Sequence, residues 1–181
     1  MNTSELAGDL RHVADALRRV TVEIRTGRRG LGAGVMWPRA TNGAIVTNAH
    51  VVGGRSGCVV RFADGRQQDG RVVRTDEEND LALVEVAGAE LDRATLGDAA
   101  QLRCGDVVLA LGHPFGMSGA LALGIVHSAD QRWIRADLRL APGFSGGPLA
   151  DAAGRIVAIN AMIAHGLGLA VPATTIDRFA A

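Results

Sequence analysis

Hydrophobic residues near the N-terminus recur at intervals of three or four positions. In the stretch from residue 4 to 19 they are Leu6, Leu10, Val13 and Leu17, with polar or small residues at most positions between them. This spacing places the apolar side chains on one face of a helix. The pattern predicts an amphipathic N-terminal helix over about residues 1–19.

After this segment, short apolar runs of four to eight residues replace the helical period. Gly, Asp, Asn or Pro separates most of them. In chain order the runs are VTVEI, GVMW, AIVTN, CVVRF, RVVRT, LALVEV, DVVLALG, ALALGIV, RWIRADL, RIVAIN and LGLAVP. Many short strands separated by turn residues are typical of an all-β sandwich or barrel. The number of runs suits two small barrels within one domain, 1–181, with the first over about 20–100 and the second over about 101–172.

Composition narrows the classes of partner. The 181 residues include 19 Lys and Arg and 19 Asp and Glu, so the formal net charge is zero. A neutral chain gives no electrostatic reason to bind nucleic acid or an anionic membrane, and no apolar run reaches the length of a membrane span. The N-terminus lacks the features of a secretory signal, which predicts a cytoplasmic protein as written, or a periplasmic or secreted one if a signal has been removed.

Metal and cofactor sites are not indicated. Cys58 and Cys104 are the only cysteines, and both lie in apolar strand-like runs, where we expect them as buried small hydrophobic residues. His113, His127 and His165 lack metal-ligand spacing. We therefore expect no metal and no cofactor.

One glycine-rich stretch, APGFSGGPLAD, raises a chemical question. It places Ser145 among Gly143, Gly146 and Gly147, more glycines than a simple turn requires. Such a loop can hold a nucleophilic hydroxyl beside exposed backbone N–H groups. A serine hydroxyl is a weak nucleophile without a base, so the rest of the chain must supply one.

Two residues meet that need. His50 ends a strand-like run in AIVTNAHVVGG, and Asp80 is the last acidic residue before the apolar run LALVEV. A carboxylate that enters a core is costly unless it is paired, and an imidazole is a natural partner. The chain thus offers His50 as base, Asp80 as the residue that orients it, and Ser145 as nucleophile. We expect Gly143 to turn its N–H toward the site, and Gly146 and Gly147 to keep side chains away from the hydroxyl.

The segments TNAHVV, NDLALV and PGFSGGPL, with ALGHPFGMSGALALGIVHS between the last two, resemble the chymotrypsin-fold serine proteases of the HtrA/Deg branch from about residue 20 to 172. The resemblance implies two packed six-stranded β-barrels with the site in the cleft between them. It implies a His50–Asp80–Ser145 triad and an oxyanion hole from the backbone of Gly143, Phe144 and Ser145. Phe144 stands where the family usually has Asn, and we expect its ring to be exposed at the cleft entrance.

The resemblance also implies a serine endopeptidase that cleaves unfolded or flexible protein segments through an acyl-enzyme. The implied primary pocket has no charged side chain, so cleavage is expected after small or medium aliphatic residues; its members are Leu140, Ala141, Ile159, Asn160, Ala161 and Leu169. Family members usually continue into a PDZ domain, and this sequence stops before one. Expected partners are therefore a protein or peptide substrate and a separate regulatory chain.

Two other classes of function remain open. The run GFSGG matches the nucleophile elbow of α/β-hydrolases, but that fold needs alternating strands and helices, with its Asp and His after the serine. Only 36 residues follow Ser145 in this β-rich chain. The second alternative is a protease-like domain that binds without cleaving, because an intact triad can lie in an inactive site.

Overall fold

A computed structural model describes residues 3–27, 30–40, 44–88 and 92–181. The predicted N-terminal helix is present as α1, Thr3–Val20, and it buries Val13, Leu17 and Val20. Leu6, at the outer end of the apolar stripe, remains exposed. No helix in the described ranges is both long enough and apolar enough to span a membrane.

The first six strands close into one antiparallel barrel. Their order around it is β1, β2, β3, β6, β5, β4. The strands are β1 Thr21–Thr26, β2 Gly30–Met36, β3 Ile45–Thr47, β4 Gly57–Arg61, β5 Gln67–Asp76 and β6 Leu81–Val86. A single helical turn, α2, Ala49–Val52, follows β3 and packs Val51 and Val52 into the barrel core.

The remaining six strands close into a second antiparallel barrel in the order β10, β11, β12, β9, β8, β7. They are β7 Val107–Gly112, β8 Ala120–Ala129, β9 Ile134–Asp137, β10 Pro148–Asp151, β11 Ile156–Ala164 and β12 Leu167–Pro172. Short 3₁₀ turns lie at Ala99–Gln101 and Pro114–Gly116, and helix α3, Ala173–Ala180, closes the chain. The predicted all-β, two-barrel architecture is confirmed.

A shared apolar core joins the barrels. Val35, Val46 and Leu83 from the first barrel meet Leu111 and Ile159 from the second. The helices cover this core: its members include Leu17 of α1 and Ile176 of α3, both almost fully buried. Burying apolar surface gives about 25 cal/mol per Å², so the shared core fixes how the two barrels face each other.

The two cysteines differ from expectation. Cys58 is buried on β4, and burial, with Asp69 nearby, raises the pKa of its thiol to about 11. Cys104 is exposed, so its predicted burial is wrong. It lies in the turn before β7, outside the regular strand in which the apolar pattern placed it.

Candidate active site

The loop before β10 holds Ser145 by backbone hydrogen bonds on both sides. The Phe144 N–H donates to the Ala141 carbonyl at 3.1 Å, and the Gly147 N–H donates to the Phe144 carbonyl at 3.0 Å. From the other barrel, the Ala33 N–H of β2 donates to the Ser145 carbonyl at 2.7 Å. The serine backbone is therefore fixed at the contact between the barrels.

The flanking glycines are required by close backbone packing. A β-carbon at Gly146 would lie 2.0 Å from the Ala33 carbonyl oxygen, and one at Gly147 would lie 2.1 Å from the Leu111 carbonyl oxygen. Gly146 also has a φ of +82°. The expectation that these glycines keep side chains away from the hydroxyl gives the wrong reason. They let the loop lie directly on backbone of both barrels.

His50 and Asp80 come from the first barrel. His50 lies in α2, and Asp80 occupies the turn before β6 with a left-handed φ of +52°. The Asp80 Oδ2 lies 2.8 Å from His50 Nδ1, and the His50 backbone N–H donates to Asp80 Oδ1 at 3.0 Å. The Asn48 amide donates to the Asp80 carbonyl at 2.8 Å, which holds the turn. Both carboxylate oxygens thus contact the same histidine.

The two side chains of the His50–Asp80 pair are unequally exposed to solvent. The Asp80 side chain is 14% exposed, whereas the His50 side chain is 48% exposed. The carboxylate therefore lies behind the imidazole, and the ring edge that carries Nε2 is the part open to a substrate. The neighbouring carboxylates of the acidic run do not share this position: Glu77 and Glu78 are exposed, and Asp76 accepts hydrogen bonds within its own turn.

Ser145 and His50 line one cleft, but the serine hydroxyl donates to the Ala161 carbonyl at 3.0 Å. Ala161 is the residue at which a bulge shifts the pairing of β11 with β12, between Asn160 and Met162. Within the described ranges, no hydrogen bond joins the Ser145 hydroxyl to His50. The structure thus joins His50 to Asp80 and places the nucleophile candidate opposite them in a resting orientation.

The backbone beside Ser145 offers two free donors. Within the part of the chain that the structure describes, neither the Gly143 N–H nor the Ser145 N–H has a hydrogen-bond acceptor. The Phe144 N–H between them is used by the Ala141 carbonyl. Gly143 has a φ of +109°, which suits glycine. Two neighbouring unpaired N–H groups are what an oxyanion requires.

Phe144 departs from expectation. Its side chain is 5% exposed and packs in the core of the second barrel with residues such as Leu138 and Leu149. The predicted exposure of the ring at the cleft entrance is wrong. Burial of the ring anchors the middle of the loop.

The cleft has a volume of about 370 Å³ and mostly apolar walls. Of the predicted pocket residues, Leu140, Ala141, Asn160 and Ala161 line it. Ile159 and Leu169 do not, because Ile159 is fully buried in the core between the barrels and Leu169 is buried on β12. The cleft is also lined by Pro142 and Met162, which adjoin predicted members of the pocket, and by Leu31 and Ile163, which the sequence interpretation missed. A bulge interrupts the pairing of β11 with β12 in this part of the cleft wall, between Asn160 and Met162.

Among the described residues, no carboxylate lines this cleft. Asp137 and Arg139 are exposed and border a different depression, beside β8. Asn160 is buried at the cleft wall and donates its amide to the Gly147 and Pro148 carbonyls, which ties β11 to the serine loop. Apart from His50, the described side chains that line the cleft beside Ser145 are therefore uncharged.

The Trypsin-like peptidase domain family model matches residues 32–159. The chain belongs to the trypsin-like peptidase family. This trypsin-like domain is 40% identical over 162 residues to a Synechocystis sp. protein named as the serine protease HhoA, a match that covers 80% of this chain and 41% of the relative. It is 35% identical to a DegP-like protein of Halomonas elongata named as a periplasmic serine endoprotease, over 80% of this chain and 33% of the relative.

Comparison with a solved structure leads to the same family. The trypsin-like domain superposes on the HtrA-type protease AlgW with tripeptide at a TM-score of 0.82 and 31% sequence identity. The match covers 91% of this chain and 60% of the other. The chain spans less than half the length of the two curated relatives. The HtrA-type peptidase fold of the described domain is established by these matches.

Proposed function

We propose that this domain is a serine endopeptidase that cleaves flexible or unfolded protein segments through His50, Asp80 and Ser145. The observation that carries the proposal is the 2.8 Å contact between His50 Nδ1 and Asp80 Oδ2, across one cleft from Ser145. The names of the relatives, which include serine endoprotease, support the same reaction class.

In the proposed reaction, each group acts once while the acyl-enzyme forms and once while it is hydrolysed. Ser145 Oγ attacks the scissile carbonyl carbon as its proton passes to His50 Nε2, and Asp80 stabilises the imidazolium. The Gly143 and Ser145 N–H groups bind the oxyanion. The C–N bond then breaks, and the His50 proton goes to the leaving amine. Water, deprotonated by His50, hydrolyses the resulting ester and restores the Ser145 hydroxyl.

The first step requires the serine hydroxyl to leave the Ala161 carbonyl. Rotation about its side-chain bond exchanges one hydrogen bond for another, so the net cost is no more than about 1 kcal/mol. The Ala161 carbonyl then becomes free to accept an N–H of a bound peptide. An extended peptide could also pair with the exposed stretch of β11 at Met162 and Ile163.

The apolar cleft favours aliphatic side chains at the residue before the scissile bond. Such a side chain gains about 25 cal/mol per Å² of buried surface. A Lys or Arg would be buried without a compensating carboxylate, which is costly. We therefore propose cleavage after residues such as Val, Ala, Leu or Ile.

The cellular location of the protein is also a proposal. The Halomonas relative is named as periplasmic, which favours an exported protein over the cytoplasmic one expected from the N-terminus. Fractionation of the source cells, followed by detection of the protein, tests this choice. A separate regulatory chain stays a prediction.

Ser145→Ala tests the reaction. Hydrolysis of an unfolded protein substrate should fall by several orders of magnitude while the unfolding transition is unchanged, because a triad acts as a unit. If the variant keeps near-wild-type hydrolysis, the nucleophile is misassigned. If neither protein hydrolyses any substrate yet both bind the same peptides, the domain is a binding module.

A further inference from the structure

One arginine of helix α1 forms hydrogen bonds to the loop that precedes β8 in the second barrel. The Nε and Nη2 of Arg18 donate to the Gly119 carbonyl at 3.1 Å and 3.0 Å, while its Nη1 pairs with Asp15 on the same helix at 2.7 Å. Gly119 has a φ of +66°, and a β-carbon there would lie 2.7 Å from Arg18 Nε. The Arg18 side chain therefore packs directly on the Gly119 backbone and donates two charge-assisted hydrogen bonds to its carbonyl.

The next contact runs inward from Gly119. Its N–H donates to Nδ1 of His113 at 3.3 Å, and the His113 side chain is only 4% exposed. An imidazole nitrogen that accepts an N–H carries no proton, so this histidine is neutral. Burial lowers the pKa of His113, in agreement with the neutral form. The His113 side chain thus closes the loop that runs from His113 to Gly119.

The last contact reaches the serine loop. The His113 backbone N–H donates to the Gly143 carbonyl at 2.9 Å. The two backbones are also packed tightly, because a β-carbon on Gly143 would lie 2.5 Å from the His113 carbonyl oxygen. Gly143 is thus anchored by His113 on one side, and its own N–H has no acceptor among the described residues.

We propose that Arg18 is a positioning residue for the reaction: from the N-terminal helix it fixes Gly119 and His113, and through them the Gly143 N–H of the oxyanion hole. This inference rests on the proposed function and extends it to a part of the chain outside the barrels. Arg18 does not touch substrate. It acts by restricting the backbone that carries one oxyanion donor.

The proposal predicts an effect on the chemical step and little effect on substrate binding. An oxyanion donor contacts charge that develops only after attack, and loss of one donor lowers kcat by about 10²–10³. Arg18→Ala would loosen the donor without removing it. We expect kcat to fall about tenfold with KM unchanged.

The matched control is Arg19→Ala. Arg19 is the next residue on α1, and its guanidinium pairs with Asp92 at 3.4 Å, away from Gly119. Arg18→Lys keeps a donor that can reach the Gly119 carbonyl, so it should recover part of the lost kcat. All three variants should unfold at similar temperatures, since the Arg18 side chain is 43% exposed and the Arg19 side chain 57% exposed.

The experiment measures kcat and KM on one peptide substrate and, separately, the amide signals of the protein labelled with ¹⁵N-glycine. The proposal expects a lower kcat and shifted Gly143 and Gly119 signals in Arg18→Ala, smaller changes in Arg18→Lys, and neither change in Arg19→Ala. Equal kcat values in Arg18→Ala and Arg19→Ala would overturn it. So would a lower kcat in Arg18→Ala that is accompanied by a changed KM and a lower unfolding temperature. An inactive wild-type protein would instead refute the proposed function, and unchanged Gly143 signals would still refute the positioning role.

Discussion

Replacing Asp80 with asparagine changes one atom of the pair with His50 and should nearly abolish turnover. The carboxylate makes two contacts: Oδ1 accepts the His50 backbone N–H at 3.0 Å, and Oδ2 lies 2.8 Å from His50 Nδ1. An amide has one acceptor and one donor. Because a backbone N–H can only donate, the amide oxygen must take the first position, and the amide NH₂ then faces Nδ1.

This orientation selects the wrong tautomer of His50. A donor facing Nδ1 requires that nitrogen to be unprotonated, so the neutral imidazole carries its proton on Nε2. Nε2 then cannot accept the proton of Ser145. For a serine–histidine–aspartate triad the expected loss is about 10⁴ in kcat. At 1.36 kcal/mol for each tenfold change, this corresponds to about 5.4 kcal/mol of activation free energy.

The assay compares kcat for Asp80→Asn and Glu78→Gln on one fluorogenic peptide. Both substitutions convert a carboxylate into an amide, and they lie two residues apart. Glu78 is exposed, and the hydrogen bonds of the described pair do not include its side chain, so its variant should keep wild-type activity. Denaturant unfolding should show a change of no more than about 1 kcal/mol for either variant, since both amides fill the same space.

Wild-type activity in both variants would contradict this assignment. A histidine base could then not depend on the Asp80 contact. An equally severe loss in Glu78→Gln would show that the wrong carboxylate had been chosen. Assignment of the His50 ring nitrogens by ¹⁵N NMR tests the tautomer directly, because Asp80→Asn should move the proton from Nδ1 to Nε2.

Three further predictions concern packing, acid stability and specificity. Gly146→Ala should destabilise the fold by about 3 kcal/mol, since its β-carbon would lie 2.0 Å from a backbone oxygen. Gly54→Ala, at a similar φ but with open space around the β-carbon, should cost less, and equal unfolding free energies of the two variants would contradict this. Burial lowers the pKa of His113 below its ordinary 6.5, with Glu23 opposing and Arg61 reinforcing the shift. The unfolded state therefore binds a proton first, and the unfolding free energy should fall below about pH 6.5, less steeply in His113→Asn; identical slopes in urea titrations would refute this. A peptide library should be cut after aliphatic residues, and cleavage mainly after Lys or Arg would overturn the assigned pocket.

Much of the architecture could be predicted because it depends on local pattern. The change from a helical period to short apolar runs gave both α1 and the all-β class, and eleven of the twelve strands lie in the quoted runs. The missed strand, β10 at Pro148–Asp151, is four residues long and directly follows the glycines of the serine loop. A strand that short carries no alternation to detect.

The candidate site was predictable where burial imposes a chemical need. A carboxylate at the entrance to a buried strand requires a partner, and Asp80 contacts His50 as that argument expected. The catalytic roles stay a prediction. Other features depend on tertiary packing: the ring of Phe144 is buried, Ile159 is buried away from the cleft, and a bulge interrupts β11 at Ala161. Neither burial of a loop side chain nor a bulge has a signature in the hydrophobic pattern.

The most direct test of the central claim is reaction of the folded protein with a fluorophosphonate, followed by peptide mapping to locate the adduct. Such a probe forms a stable bond only with an activated serine, whose proton a neighbouring base accepts. The account predicts a single adduct on Ser145, lost in His50→Ala and in protein unfolded with urea. A folded wild-type protein that stays unmodified at Ser145, or that is modified equally in His50→Ala, would contradict a His50-activated nucleophile.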